Sequence, residues 1–137
     1  MDAQNFAYAL TQVIHNFGAA AVVGGAGAAI YMRPPDPLRE RALAWLVGIA
    51  WAVQIGSGAL FGAISFYYYG RFPDISGIAT AALFVKAIGA GLGVLLIVIY
   101  LLRAAYWTEA RRKQVWHGLI GLGIIALTAA AFLRWFS

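Results

Sequence analysis

The sequence predicts an all-α fold, an integral membrane four-helix bundle with both termini outside, and three observations predict it. The 137 residues are 63% hydrophobic and only 11% charged, with a mean hydropathy of +0.78. The apolar residues lie in four long stretches separated by charged or Pro/Gly-rich breaks. The basic residues collect in two of the three connecting loops. A soluble domain is about 45–50% apolar and about 25% charged, so a soluble globule of this size has nowhere to bury so much apolar surface. Disorder is excluded by the same hydrophobicity, and the length suits a single domain.

The first stretch runs from about Asn5 to Tyr31 and stops at Met32-Arg33-Pro34-Pro35-Asp36-Pro37. The second runs from about Ala42 to Tyr69 and stops at Gly70-Arg71-Phe72-Pro73-Asp74, the third from about Ile75 to Leu102, and the fourth from about Val115 to Phe136. Each exceeds the roughly 20 residues that cross the hydrocarbon core as a helix. Unbroken apolar runs also exclude a transmembrane β-barrel, whose strands alternate over about ten residues. The first stretch is too long for a secretory signal, and its leader carries Asp2 and no basic residue.

Arg33, Arg39 and Arg41 lie in the first loop, and Arg103, Arg111, Arg112 and Lys113 in the third, whereas the second loop has only Arg71. Lys and Arg collect on the cytoplasmic side, which predicts that loops one and three are cytoplasmic. The net charge of +5 sits in these short loops, so it serves topology, and no nucleic-acid partner is expected. Tyr31, Trp45, Tyr67, Tyr68, Tyr69, Tyr106, Trp107, Trp116 and Trp135 fall near span ends, where interfacial aromatics belong. Gly58/Gly62 and Gly89/Gly93 are GxxxG pairs, which let helices approach closely within the bundle or between subunits.

Polar residues deep in the spans carry the functional information, because they are costly there and face the bundle interior or a partner. Span one has Gln4, Tyr8, Thr11, Gln12 and His15 on one helical face, bordered by Asn16. Span two has Trp51, Gln54, Gly58, Phe61 and Ser65, with Ser57 beside them. Span four has His117, Gly121, Ile124 and Thr128. Span three has Lys86, the only formally charged residue inside the middle two spans, on a side otherwise lined by Ala79, Ala82, Gly89, Ala90 and Gly93. Helix rise puts His15 and Lys86 each roughly 16 Å from the outer end of its span. The two are therefore expected at one level, close to Ser57 and Gln54. A neutral imidazole is an axial ligand for haem iron. A lysine amine is a second ligand, a propionate partner or a proton carrier. The alternative is that both residues only join helices by hydrogen bonds. His117 lies nearer the cytoplasmic interface, and helix rise separates it from His15 by roughly 10–15 Å in depth.

Without cysteine there is no disulfide, thiolate metal site or iron–sulfur cluster. No phosphate loop, HExxH motif or Ser-His-Asp set is present. With two Met and two His, a copper site is poorly supplied with ligands.

Two segments resemble a known group. His15-Asn16-Phe17-Gly18-Ala19-Ala20-Ala21-Val22-Val23-Gly24-Gly25, ending in Arg33-Pro34, is similar to the first helix of small CopD-like membrane proteins. Leu83-Phe84-Val85-Lys86-Ala87 is similar to their lysine-bearing helix. The related HemJ-type proteins also pair a histidine in one helix with a lysine in a later one. The resemblance implies a membrane bundle that binds b-type haem through His15, its metal ligand, with Lys86 at the site. Val23 stands where those sequences commonly have Trp, and residues 87–102 contain no histidine, unlike the HemJ type.

The expectation is therefore a haem b protein of a bacterial inner membrane that transfers electrons, with quinone as a candidate donor or acceptor, its site formed by His15, Lys86, Gln54 and Ser57. The alternative is a cofactor-free accessory subunit. In either case other membrane subunits, or further copies in a homo-oligomer, are expected beside the lipid bilayer.

Overall fold

The computed structural model describes residues 2–32 and 36–136. These form α1 (Ala3–Tyr31), α2 (Pro37–Tyr69), α3 (Gly77–Arg103) and α4 (Glu109–Phe136), with a short 3₁₀ turn at Ala104–Tyr106 and no strand among the described residues. All four helices are long and apolar enough to cross a membrane.

Local chemistry sets the helix ends. Asp2 Oδ1 accepts from Gln4 N at the start of α1, and Asp36 Oδ1 accepts from Leu38 N at 2.9 Å at the start of α2. Side-chain oxygens at these positions satisfy backbone donors that a helix start leaves free. Pro37 follows at the first turn, where its missing N–H costs nothing. Gly70 ends α2 at φ 67°, a left-handed turn that favours glycine. Thr108 Oγ1 accepts from Arg111 N before α4.

Two boundaries differ from the sequence reading. α2 begins at Pro37 rather than Ala42, and α4 at Glu109 rather than Val115. The additional turns, Leu38-Arg39-Glu40-Arg41 and Glu109–Gln114, are charged. Hydropathy marks the hydrocarbon, whereas a helix continues into the headgroup layer. Arg33 and Pro34, counted in the topology and the resemblance, lie outside the described residues.

Each helix packs on its chain neighbours, and α1 also packs on α4, so the four stand in a ring with α1 and α3 across one diagonal. Gln4 near the start of α1 meets Tyr69 at the end of α2, and Tyr100 near the end of α3 meets Glu40 and Trp116 near the starts of α2 and α4. Successive helices therefore run antiparallel. One end, here called the basic end, carries loops one and three. The distal end carries loop two and both chain ends.

Large side chains fill the basic half. Val47, Trp51, Ile97 and Leu119 are the largest fully buried residues there, and Trp116 is buried with them. Buried positions toward the distal end are mostly small or polar, Thr11, His15, Ser57, Ser65, Ala79, Ala82 and Ala129, with Ile64 a large apolar exception. Large apolar side chains such as Phe17, Phe84 and Ile88 cover the outer surface, the arrangement a lipid solvent favours.

Several faces are corrected. Trp116 is a core residue, not an interfacial one. The inward side of α4 is Trp116, Leu119, Gly123 and Ala129, while His117 and Thr128 are exposed. The Thr128 hydroxyl is satisfied by Ile124 O at 2.9 Å, so it needs no interior partner. On α2, Gly58 faces outward and Ser57 inward. On α3, Gly93 faces Trp51 so closely that a Cβ there would overlap the indole ring, with Cζ2 at 2.7 Å and Cδ2 at 2.8 Å. That half of the second GxxxG pair is an internal contact.

Candidate functional site

Polar side chains from three helices meet inside the bundle. His15 of α1 is buried, and its Nδ1 lies 2.6 Å from Ser57 Oγ of α2. Its Nε2 lies 2.9 Å from Lys86 Nζ of α3, across the diagonal of the ring. Phe61 stands edge-on to the imidazole at 5.8 Å between centroids, closing the distal side of the ring. Gln54 Nε2 donates to the backbone carbonyl of His15 at 2.6 Å.

The sequence explains why α1 and α2 approach so closely here. Gly18 lies one turn beyond His15, and a Cβ on it would come 2.6 Å from Gln54 Nε2 and 2.9 Å from Val53 Cγ1. Only a residue without a side chain leaves room for the Gln54 amide on the α1 backbone. Two turns further along, Gly25 accepts Val47 in the same way, at 2.6 Å.

Donor counting assigns the protons. The Ser57 hydroxyl has one hydrogen, and it donates to Val53 O at 2.5 Å. Its oxygen then accepts from His15 Nδ1–H. The neutral imidazole is left with its lone pair on Nε2, and the Lys86 amine donates to it. The three side chains thus form one directed chain, Lys86 to His15 to Ser57 to the α2 backbone. Ser57 anchors the ring, and a backbone carbonyl anchors Ser57. In water each of these bonds would contribute little, but in a bilayer interior an unpaired polar group has no solvent to turn to.

All four residues singled out in the sequence therefore meet: His15, Ser57 and Lys86 by side chain, and Gln54 through the His15 carbonyl. Thr11 bonds within α1, to Ala7 O at 2.8 Å, one turn from the site. Asn16, which is exposed, and Gln12, which is half-buried, pair with each other away from the site. His117 is exposed near the basic end, its Nδ1 2.7 Å from Lys113 O, and takes no part. Trp51 carries a buried indole N–H with no acceptor among the described residues.

Sequence reasoning missed a second cluster, at the basic end. Glu40 Oε1 accepts from the Tyr100 hydroxyl and, at 3.2 Å, from Trp116 Nε1, which also donates to the Tyr100 oxygen at 3.1 Å. Arg112 Nε stands 3.5 Å from Glu40 Oε2 and Arg112 also donates to Trp107 O at 3.0 Å. The cluster ties α2, α3 and α4 together. Its signal was present: Glu40 stands between Arg39 and Arg41, an acidic residue flanked by two bases just before span two.

No three His, Cys, Asp or Glu side chains converge among the described residues. No family model, curated protein or solved structure matches the chain.

Proposed function

We propose that the chain is a multi-pass protein of a bacterial inner membrane, with both termini outside, that binds b-type haem at His15 and passes electrons to a membrane or periplasmic partner. The observation that carries this reading is the setting of His15. Its ring is fixed through Nδ1–H by Ser57, and the lone pair of Nε2 is turned into the bundle. Metal-binding histidines are held in this way, the second nitrogen donating to an anchored acceptor that sets tautomer and orientation.

The donor set fits the group. A neutral histidine serves as an axial ligand of haem, and a b-type haem, when bound, supplies one-electron exchange. Lys86 holds Nε2 in this structure, so coordination at that nitrogen requires this contact to be released. The freed amine is then available to a propionate or as a second ligand. Ser57 keeps the imidazole in its coordinating tautomer, and Gln54 holds the α1 backbone at His15. The short connecting loops offer little surface for chemistry in water, which is the reason to expect a partner subunit.

The second reading is a cofactor-free accessory subunit. One observation favours it: Lys86, His15 and Ser57 already satisfy one another, as interhelical polar contacts do in membrane bundles.

An absorption spectrum of the full chain, purified in mild detergent from haem-replete cells, separates the two. The first reading expects a Soret band that disappears in His15→Ala while helical content stays unchanged. A folded wild-type chain without a Soret band refutes it in favour of the second.

A further inference from the structure

The two halves of the bundle are closed differently. Toward the basic end α1 and α4 touch: a Cβ on Gly123 would meet Val22 and Val23 at 3.1 Å, and one on Gly27 would lie 3.9 Å from Ile120. Beyond Gly123 the same side of α4 emerges, with Leu127 43% exposed and Ala131 exposed. Opposite them on α1, Ala9, Asn16 and Ala20 are exposed as well. The distal part of α1 makes its contacts with α2 instead. Gln4 Nε2 donates to Tyr69 Oη at 2.5 Å, Tyr8 stacks on Phe61 at 6.3 Å, and His15 bonds Ser57. α1 therefore leans on α2, and a cleft is left between the distal halves of α1 and α4.

Lys86 of α3 lies across the ring from α1, where its amine reaches His15. That lysine stands in the middle of the inward stripe of α3, between buried Ala82 and buried Gly89 and Ala90, yet it is only partly buried itself. One turn along the same stripe, Gly89 has no atom within 4 Å of the place a Cβ would occupy, so the interior is not filled there.

The α1 wall of the cleft carries an amide pair that the bundle does not use. Gln12 Nε2 donates to Asn16 Oδ1 at 2.6 Å. Gln12 Oε1 is left as an acceptor and Asn16 Nδ2 as a donor, with no partner for either among the described residues. Helix rise puts them roughly 14 Å and 20 Å from the start of α1, within the hydrocarbon. Lys86 has more than one N–H donor, so its contact with His15, or with a haem in that contact's place, leaves one over.

We propose that this cleft is a lateral binding site, open to the bilayer, for a quinone. A molecule that reaches the site through lipid is itself lipid-soluble. A quinone head offers carbonyl oxygens to Asn16 Nδ2 and Lys86, and its reduced form offers a hydroxyl to Gln12 Oε1. The isoprenoid tail stays between the helices and the lipid. A helix of a second copy is a poorer occupant: at about 10 Å across it reaches the amide pair on the rim but not the amine behind it. The proposal rests on the electron-transfer reading for its purpose, the quinone being the redox partner, but the site itself stands on the cleft.

Photolabelling of the full chain in lipid nanodiscs with an azido-ubiquinone tests it. Label is expected within residues 5–20 and 124–134, displaced by decylubiquinone, and reduced at least tenfold by Leu127→Trp, which fills the cleft, and by Asn16→Leu. Haem content, read from the Soret band, is expected to be unchanged in both variants. If Leu127→Trp fails to assemble, Ala131→Phe on the same rim is read in its place. Label spread evenly over the lipid-facing helices, or unaffected by both substitutions, overturns the proposal. A halved particle mass in Asn16→Leu overturns it too, because α1 is then a subunit contact. Site-specific label on a chain without a Soret band would sink the haem reading and leave the quinone site standing.

Discussion

Gly93→Ala and Gly58→Ala are chemically the same change at two helix-interior glycines, and the structure predicts opposite results. The gain in helix propensity, about 1 kcal/mol, is common to both and cancels when they are compared. What remains is packing. At Gly93 the new methyl overlaps the indole of Trp51, a ring only 1% exposed and held in the core, so no free side-chain end can swing away. At Gly58 nothing lies within 4 Å. Overpacking a filled core costs about 1–3 kcal/mol, so Gly93→Ala should be less stable than Gly58→Ala by that amount. The difference corresponds to about 5-fold to over 100-fold in the folding equilibrium. Unfolding in mixed micelles with increasing SDS mole fraction, followed by tryptophan fluorescence, measures both on one scale. Coincident midpoints would refute the argument and place Gly93 on an external face, where a subunit contact would use it.

Ser57→Ala removes the acceptor for His15 Nδ1–H; if His15 ligates haem, retention should weaken about 10–100-fold, as judged by haem loss to apomyoglobin. Glu40→Leu takes away the acceptor shared by Tyr100 and Trp116 and the partner of Arg112. It should destabilise the bundle by about 1–3 kcal/mol, with Glu40→Gln losing less, since the amide oxygen still accepts; equal stability of all three forms in the same SDS titration would show the cluster to be ornamental. Reporter fusions at residues 36 and 109 should read cytoplasmic and one at residue 73 periplasmic; an active periplasmic reporter at 109 contradicts the orientation.

The helices were legible because hydrocarbon imposes a length and a composition that a sequence cannot disguise. The meeting of His15 with Lys86 was legible for a related reason: polar groups at one depth in lipid have few places to go but toward each other. The helix faces were less so. On α4, polarity is a poor mark of the inward side: Thr128 satisfies itself on its own backbone and His117 uses Lys113 O, while Trp116 turns inward. The Glu40 cluster escaped because its charges sit at a loop boundary, where a sequence reading counts them for topology and stops. Packing also decides which GxxxG glycine is internal, and no periodicity separates Gly93 from Gly58.

The distribution of the site over the chain bears on how the protein is made. Ser57, Gln54 and His15 all belong to the first hairpin, whose two helices pack extensively on each other before anything downstream is needed. A lysine at the centre of a span costs about 2.5–3.5 kcal/mol on entering the bilayer. Lys86 is carried by a later helix, the most apolar of the four. If the spans leave the translocon in chain order, the amine arrives in lipid when its imidazole acceptor is already in place, so the first hairpin works as a receptor for the third span. A ribosome stalled after span two should then yield a stable membrane hairpin. A chain circularly permuted to deliver α3 first should insert poorly, although its finished fold would be the same.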